Sequence, residues 1–160
     1  MDRLENKIGK LLSGKGLTLA VVESATGGLI SHRITNASGS SVYYKGSITA
    51  YSNDIKLKLV GVKIETLVHF GAVSYQVAAQ MAEGGRRLLK ADICIADTGI
   101  AGPGGGSSEK PVGLVYIALA DAQNTESRKF VFTGSREENK AKFADAALEW
   151  LLAYLEASEL

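Results

Sequence analysis

The residues best suited to chemistry in this chain sit in polar turns that follow apolar runs. The longest such segment is Thr98-Gly99-Ile100-Ala101-Gly102-Pro103-Gly104-Gly105-Gly106-Ser107-Ser108-Glu109-Lys110-Pro111, entered from the strand-like run Ile93 to Ala96. Five of the nine residues from 98 to 106 are glycine, and the two prolines of the chain lie in the same segment. Glycine tolerates positive φ and carries no Cβ, so backbone N–H groups in such a loop can approach a ligand closely. A phosphate or a carboxylate is the natural guest, and a plain connecting loop is the alternative. The pattern is not a Walker A motif, which needs Gly directly before its Lys, whereas Glu109 precedes Lys110. Nor is it a dinucleotide fingerprint. Gly102 and Gly104 supply the first two glycines, but Ser107 stands at the third, and the loop leads to Pro111 and a strand instead of a helix.

Three further turns carry hydroxyls or an amine: Glu23-Ser24-Ala25-Thr26-Gly27-Gly28, Ser38-Gly39-Ser40-Ser41, and Tyr51-Ser52-Asn53-Asp54 with Lys56 just beyond. Metal and triad chemistry find no support beside them. His32 and His69 are far apart in sequence with no Cys or carboxylate at ligand spacing, so no metal site is expected. Neither histidine sits in a turn that a strand end would present, and no G-x-S-x-G elbow exists. The single Cys94 lies in an apolar run and reads as a buried structural thiol, which excludes an intrachain disulfide.

The elements that must position these turns follow from periodicity. Leu4, Ile8, Leu11 and Leu12 predict an amphipathic helix over 2–13, ending near Gly14 and Gly16. A strand follows over 17–22, then a turn and a helical stretch to about 35. A second strand is predicted over 47–51, with weaker helices near 54–60 and 63–69. Ser74 caps a stronger helix that runs to Lys90 through Val77, Met81, Gly84 and Leu88. A strand over 92–98 delivers the glycine loop, and runs over 113–119 and 128–132 form a strand pair joined around Asp121-Ala122-Gln123-Asn124. Phe143, Ala147, Trp150, Leu151 and Tyr154 give a last helix its apolar stripe. The alternation predicts one α/β domain over 1–160, a three-layer α/β/α arrangement around a mixed sheet, with ligands at the carboxyl ends of the strands.

Composition narrows the function classes. Eighteen basic and seventeen acidic residues give a net charge of +1, which leaves no broad electrostatic footprint for nucleic acid. No segment has signal-peptide character or membrane-spanning length, so a soluble cytoplasmic protein is expected, with no membrane partner.

The turns, taken in order, resemble one family. Glu23-Ser24-Ala25-Thr26-Gly27-Gly28, Gly39-Ser40-Ser41, Tyr51-Ser52-Asn53-Asp54-Ile55-Lys56, Gly71-Ala72-Val73-Ser74, Thr98-Gly99-Ile100-Ala101-Gly102-Pro103 and Glu109-Lys110-Pro111-Val112-Gly113 together look like the CinA C-terminal domain family. Its characterised members are nicotinamide-nucleotide amidases. The resemblance spans about residues 5 to 155 and implies hydrolysis of the carboxamide of nicotinamide mononucleotide, without metal or other cofactor, by a Ser/Lys mechanism in pyridine-nucleotide recycling. Motif register assigns the nucleophile to Ser41 and the base to Lys56, while Ser40, Ser24 and Thr26 stay open as rival hydroxyls. The chemistry suits that pairing, because a serine hydroxyl needs a base to take its proton and a lysine can be that base where burial favours the neutral amine.

The resemblance further implies substrate contacts from Ser24, Thr26, Gly27, Tyr51, Thr98, Gly99, Gly102 and Gly104, with Arg136 as a phosphate clamp. Oxyanion donors are expected from backbone N–H groups near Ser41 or near Thr26 and Gly27. Two positions depart from the family pattern: Ala25 stands where Cys is frequent, and Asp97 where an apolar or small residue is usual. A carboxylate at 97 is expected to repel phosphate or to hold Lys56 protonated. A homo-oligomer is expected from family members of this size. A non-catalytic nucleotide-binding or protein-interaction module on the same fold is the alternative reading.

Overall fold

The structure, a computed structural model, describes residues 1–159. Five strands form one mixed sheet: β1 (Leu19–Glu23), β2 (Tyr44–Thr49), β3 (Ile93–Gly99), β4 (Leu114–Ala120) and β5 (Thr125–Val131). Their spatial order is β2-β1-β3-β4-β5. Strands β2, β1 and β3 run parallel, and β4 and β5 continue the sheet antiparallel. Every residue of β1 and β4 is buried, as is β3 up to Thr98, whereas edge strands β2 and β5 are only half-buried. That contrast is the expected signature of central strands covered on both faces.

Six helices cover the sheet: α1 (Leu4–Lys15), α2 (Leu29–Thr35), α3 (Asn53–Lys58), α4 (Ile64–Phe70), α5 (Tyr75–Leu89) and α6 (Arg136–Ala157). Alternation along each strand splits the core in two. Leu19, Val21, Ile93, Ile95, Val115 and Ile117 pack with α1, α2 and α6, while Ala20, Val22, Cys94, Ala96, Leu114 and Tyr116 pack with α5. The expected three-layer α/β/α architecture is thus present.

Local chemistry sets the helix ends. Ser52, Ser74 and Ser135 each accept a hydrogen bond from the backbone N–H three residues on, and at α6 Glu138 returns the contact to complete a capping box. Close approach of α5 to the rest of the domain depends on Gly84, where an added Cβ would lie 1.6 Å from the Val60 carbonyl oxygen.

Element boundaries differ from the predicted ones in two informative places. The second strand is Tyr44–Thr49, not 47–51, because it is an edge strand whose half-buried alternation blurs its start. The fifth strand begins at Thr125 instead of 128, since the Asp121 side chain accepts from the N–H groups of Gln123 and Asn124 and turns the chain tightly there. Among the described residues no helix is long and apolar enough to cross a membrane.

Candidate functional site

The order β2-β1-β3 leaves a crevice where the connections leaving the parallel strands diverge, beyond their carboxyl ends. Ser24 follows β1 directly, Tyr51 and Lys56 follow β2, and Thr98 with the glycine loop closes β3. Arg136 reaches in from the first turn of α6. Together they line a cleft of about 330 Å³, with Asn53, Ala72, Val73 and Ile100 completing its wall.

Lys56 is the unusual residue of the cleft. Only 2% of its surface is exposed. Its Nζ lies 3.0 Å from Ser24 Oγ and 3.0 Å from the Tyr51 carbonyl oxygen, and it makes no ion pair among the described residues. Burial pushes the amine below the ordinary lysine range, partly opposed by the charge of Asp97. An amine that is short of water and faces a serine hydroxyl is equipped to accept that hydroxyl's proton.

The expected partner of Lys56 is corrected here. Ser41 is exposed on a 3-10 turn, Ser40–Val42, at the entry to β2, whereas Lys56 lies beyond the exit of that strand. The six residues of β2 separate the two ends by about 16 Å at roughly 3.3 Å per residue. It is Ser24, one of the rival hydroxyls, that meets the amine. The structure also moves Thr26 and Gly27 out of the cleft. They line a neighbouring depression with Gly28, His32, Glu137 and Lys140, and the Thr26 hydroxyl is engaged by Glu23 and Asp97.

The remaining expected residues do converge. Arg136 donates from Nη1 to the Gly102 carbonyl at 2.7 Å and from Nη2 to Tyr51 Oη at 3.3 Å, so its guanidinium spans the cleft between the glycine loop and the tyrosine. Gly99, Gly102 and Gly104 line the same space. The amides of Gly104 and Gly105 have no backbone acceptor among the described residues, which leaves them available to an anion. Thr98 lines the cleft but donates its hydroxyl to the Ala72 carbonyl at 2.8 Å, tying the 71–74 turn to β3.

A matching family profile, described as CinA C-terminal domain, covers residues 1–155. The chain belongs to the CinA C-terminal domain family. A CinA-like protein of Endomicrobium trichonymphae is 48% identical over 150 residues, covering 94% of this chain and 35% of its own length. The chain spans less than two fifths of the length of the curated relatives it matches. Among solved structures, the competence/damage inducible protein CihA from Agrobacterium tumefaciens is 39% identical with a TM-score of 0.88, covering 98% of this chain and 99% of that one. The competence damage-inducible protein A (ComA) from Klebsiella pneumoniae is 31% identical with a TM-score of 0.94, over 98% and 97% of the two chains. The CinA fold therefore extends over essentially all of the described residues.

Sequence reasoning missed Glu23, Asn53 and Asn139. Asn139 is wholly buried and donates to the carbonyls of Ala101 and Gly134, anchoring the base of the glycine loop on α6. The available signal was a polar residue inside the apolar stripe of a capped helix, one turn after Ser135.

Proposed function

We propose that this CinA-family chain is an amidohydrolase that converts nicotinamide mononucleotide to nicotinic acid mononucleotide and ammonia, with Ser24 as nucleophile and Lys56 as base. One observation carries the reaction class: a lysine excluded from water has a serine hydroxyl and a carbonyl as the partners of its amine. The nucleotide class is supported by Arg136, by the free loop amides and by the family resemblance.

In the proposed reaction Ser24 Oγ attacks the carboxamide carbon as its proton passes to Lys56 Nζ. Collapse of the tetrahedral adduct breaks the C–N bond, and Lys56 returns the proton to the departing ammonia. Water, deprotonated by the same amine, then cleaves the ester and restores the Ser24 hydroxyl. Arg136 and the loop amides hold the phosphate, so that binding energy from a remote part of the substrate orients the carboxamide. A soluble, cytoplasmic, self-associating enzyme belongs to the same proposal, and size-exclusion chromatography with light scattering reads its oligomeric state.

The test is ammonia and product release from nicotinamide mononucleotide, run beside direct binding of the nucleotide. Turnover that Ser24→Ala abolishes is the expected result. A wild-type protein that binds the nucleotide but releases no ammonia is a binding module, and one that neither binds nor hydrolyses it removes the substrate assignment.

A further inference from the structure

Two carboxyl groups stand side by side behind the turn that carries Ser24. Glu23 closes β1 and Asp97 lies in β3, and the pairing of Val22 with Ala96 places them abreast on neighbouring parallel strands. Both point to the α2 and α6 side, as Val21 and Ile95 do two residues earlier. Neither is exposed.

Between them sits a single hydroxyl. Thr26 Oγ1 lies 2.6 Å from Glu23 Oε1 and 2.6 Å from Asp97 Oδ1. A hydroxyl has one proton and can donate to only one of these oxygens. The other contact, at a distance typical of a strong O–H···O bond, requires a proton on the carboxyl itself. Two ionised carboxylates would instead leave one oxygen lone pair facing another in a water-free site.

The same carboxyls hold the backbone of the turn. Asp97 accepts from the N–H groups of Ser24 and Thr26, each at 3.2 Å, and Glu23 accepts from those of Ile30 and Ser31 at 2.8 and 3.1 Å. The turn is thereby fixed at both ends, the amide of the nucleophile itself among the anchored groups.

We propose that Glu23 and Asp97 share one proton across the Thr26 hydroxyl and act as positioning residues that set the approach of Ser24 to Lys56. This rests on the assignment of Ser24 and Lys56 made above and adds the means by which their geometry is held. Burial, with the charge of Glu23 adding to it, pushes the Asp97 carboxyl up to about 6, against the pull of the Thr26 and Ser24 hydrogen bonds. A carboxyl of that kind keeps its proton where an exposed aspartate has lost it. The other ionisable groups around the pair are Lys56 from α3, Tyr44 from β2, His32 from α2, and Glu137 and Lys140 from α6 beside the Thr26 turn.

The decisive variants are Thr26→Val, which removes the hydroxyl at nearly constant volume, and Thr26→Ser, which keeps it. For amide hydrolysis, Thr26→Val is expected to lower kcat by roughly 10- to 100-fold with KM within about threefold, the loss of the hydroxyl's two buried hydrogen bonds to the carboxyls acting on orientation alone. Thr26→Ser is expected to restore kcat to within about threefold of wild type, the hydroxyl being the group that matters. Equal kcat in Thr26→Val and wild type overturns the proposal.

A measurement on the wild-type protein keeps the question open to test even where a variant fails to fold. Carboxyl carbon NMR is expected to show the Asp97 carboxyl ionising near pH 6, and an Asp97 carboxyl that stays fully ionised down to pH 5, about one unit above an ordinary aspartate, overturns the shared proton. Labelling of Ser24 by a sulfonyl fluoride, with fluoride as leaving group, reports separately on the nucleophile. A protein that is neither labelled nor active loses the Ser24–Lys56 assignment, while the NMR titration still decides the proton.

Discussion

Replacing Ser24 and Ser41 by alanine in parallel separates what three dimensions bring together from what the order of motifs suggests. Ser24 Oγ is 3.0 Å from the Lys56 amine, whereas Ser41 is exposed at the far end of β2. Removing a nucleophile eliminates covalent chemistry and leaves only orientation, so Ser24→Ala is expected to reduce kcat by at least about 10³-fold, or about 4 kcal/mol of transition-state stabilisation. In the proposed complex, ground-state contacts with the nucleotide come mainly from Arg136 and the glycine loop, so its Kd is expected to change by no more than about threefold, under 1 kcal/mol. Folding stability is expected to fall by about 1 kcal/mol, one hydrogen bond, since Lys56 keeps the Tyr51 carbonyl as a partner. Ser41→Ala touches an exposed turn and is expected to stay within about 0.5 kcal/mol in stability and near wild type in rate. Ammonia release under saturating nicotinamide mononucleotide gives kcat, calorimetric titration gives Kd, and urea unfolding gives stability. A 10³-fold loss in Ser41→Ala with Ser24→Ala still active, on the scale of a lost nucleophile, would refute the reasoning, because Ser24 and not Ser41 is the hydroxyl within hydrogen-bond reach of Lys56.

Other outcomes follow from the same contacts. Arg136→Ala is expected to weaken nucleotide binding by roughly 10- to 100-fold with little change in kcat, read by titration calorimetry, because the proposed charge-assisted contact to the phosphate would be made in ground and transition states alike. Lys56→Met is expected to be more stable relative to wild type at pH 7 than at pH 10 in urea unfolding: a buried amine whose proton affinity is depressed binds fewer protons folded than unfolded, and the penalty for protonating it fades as pH rises toward the unfolded value. Asp97 has the opposite sign of effect. Its carboxyl rises from 3.8 to about 6 on folding, so its contribution, about 3 kcal/mol at about 1.36 kcal/mol per pH unit, is full below pH 4 and is lost as pH climbs through 6, a trend that Asp97→Asn is expected to flatten. Gly84→Ala is expected to cost about 1 to 3 kcal/mol in urea unfolding despite alanine's better helix propensity, since its Cβ would overlap the Val60 carbonyl.

Much of the fold is legible in the sequence because its central strands are continuous apolar runs and its major helices announce their caps. Ser74 and the Asp121 turn stand where their side chains are needed. The carboxyl-end location of the cleft also follows, since three polar turns trail three parallel strands. Which hydroxyl meets Lys56 does not. In sequence, Ser41 is fifteen residues from Lys56 and Ser24 is thirty-two, and motif order carries no information about which end of a strand a turn occupies. The direction of β2 decides it: the chain enters that strand just after Ser41 and leaves it before Tyr51, so the nearer serine in sequence is the farther one in space.

The two-residue repeat of the strands explains why the acids at 23 and 97 were equally hard to place. Asp97 reads as an intruder near the glycine loop, a charge poised to repel phosphate. Yet Thr98, one residue on, faces the opposite layer and bonds to Ala72 at the wall of the cleft, so Asp97 must face away from it. Its carboxylate oxygens accept from the Ser24 and Thr26 amides instead of confronting the loop. A charge in that place repels a phosphate weakly and organises a turn strongly, since its hydrogen bonds are made at contact and in a dry environment while any phosphate lies across the sheet layer. Asp97→Asn is therefore expected to change kcat far more than nucleotide Kd, and an affinity that rises tenfold in Asp97→Asn, a gain of about 1.4 kcal/mol, with kcat untouched would show that repulsion is the larger effect.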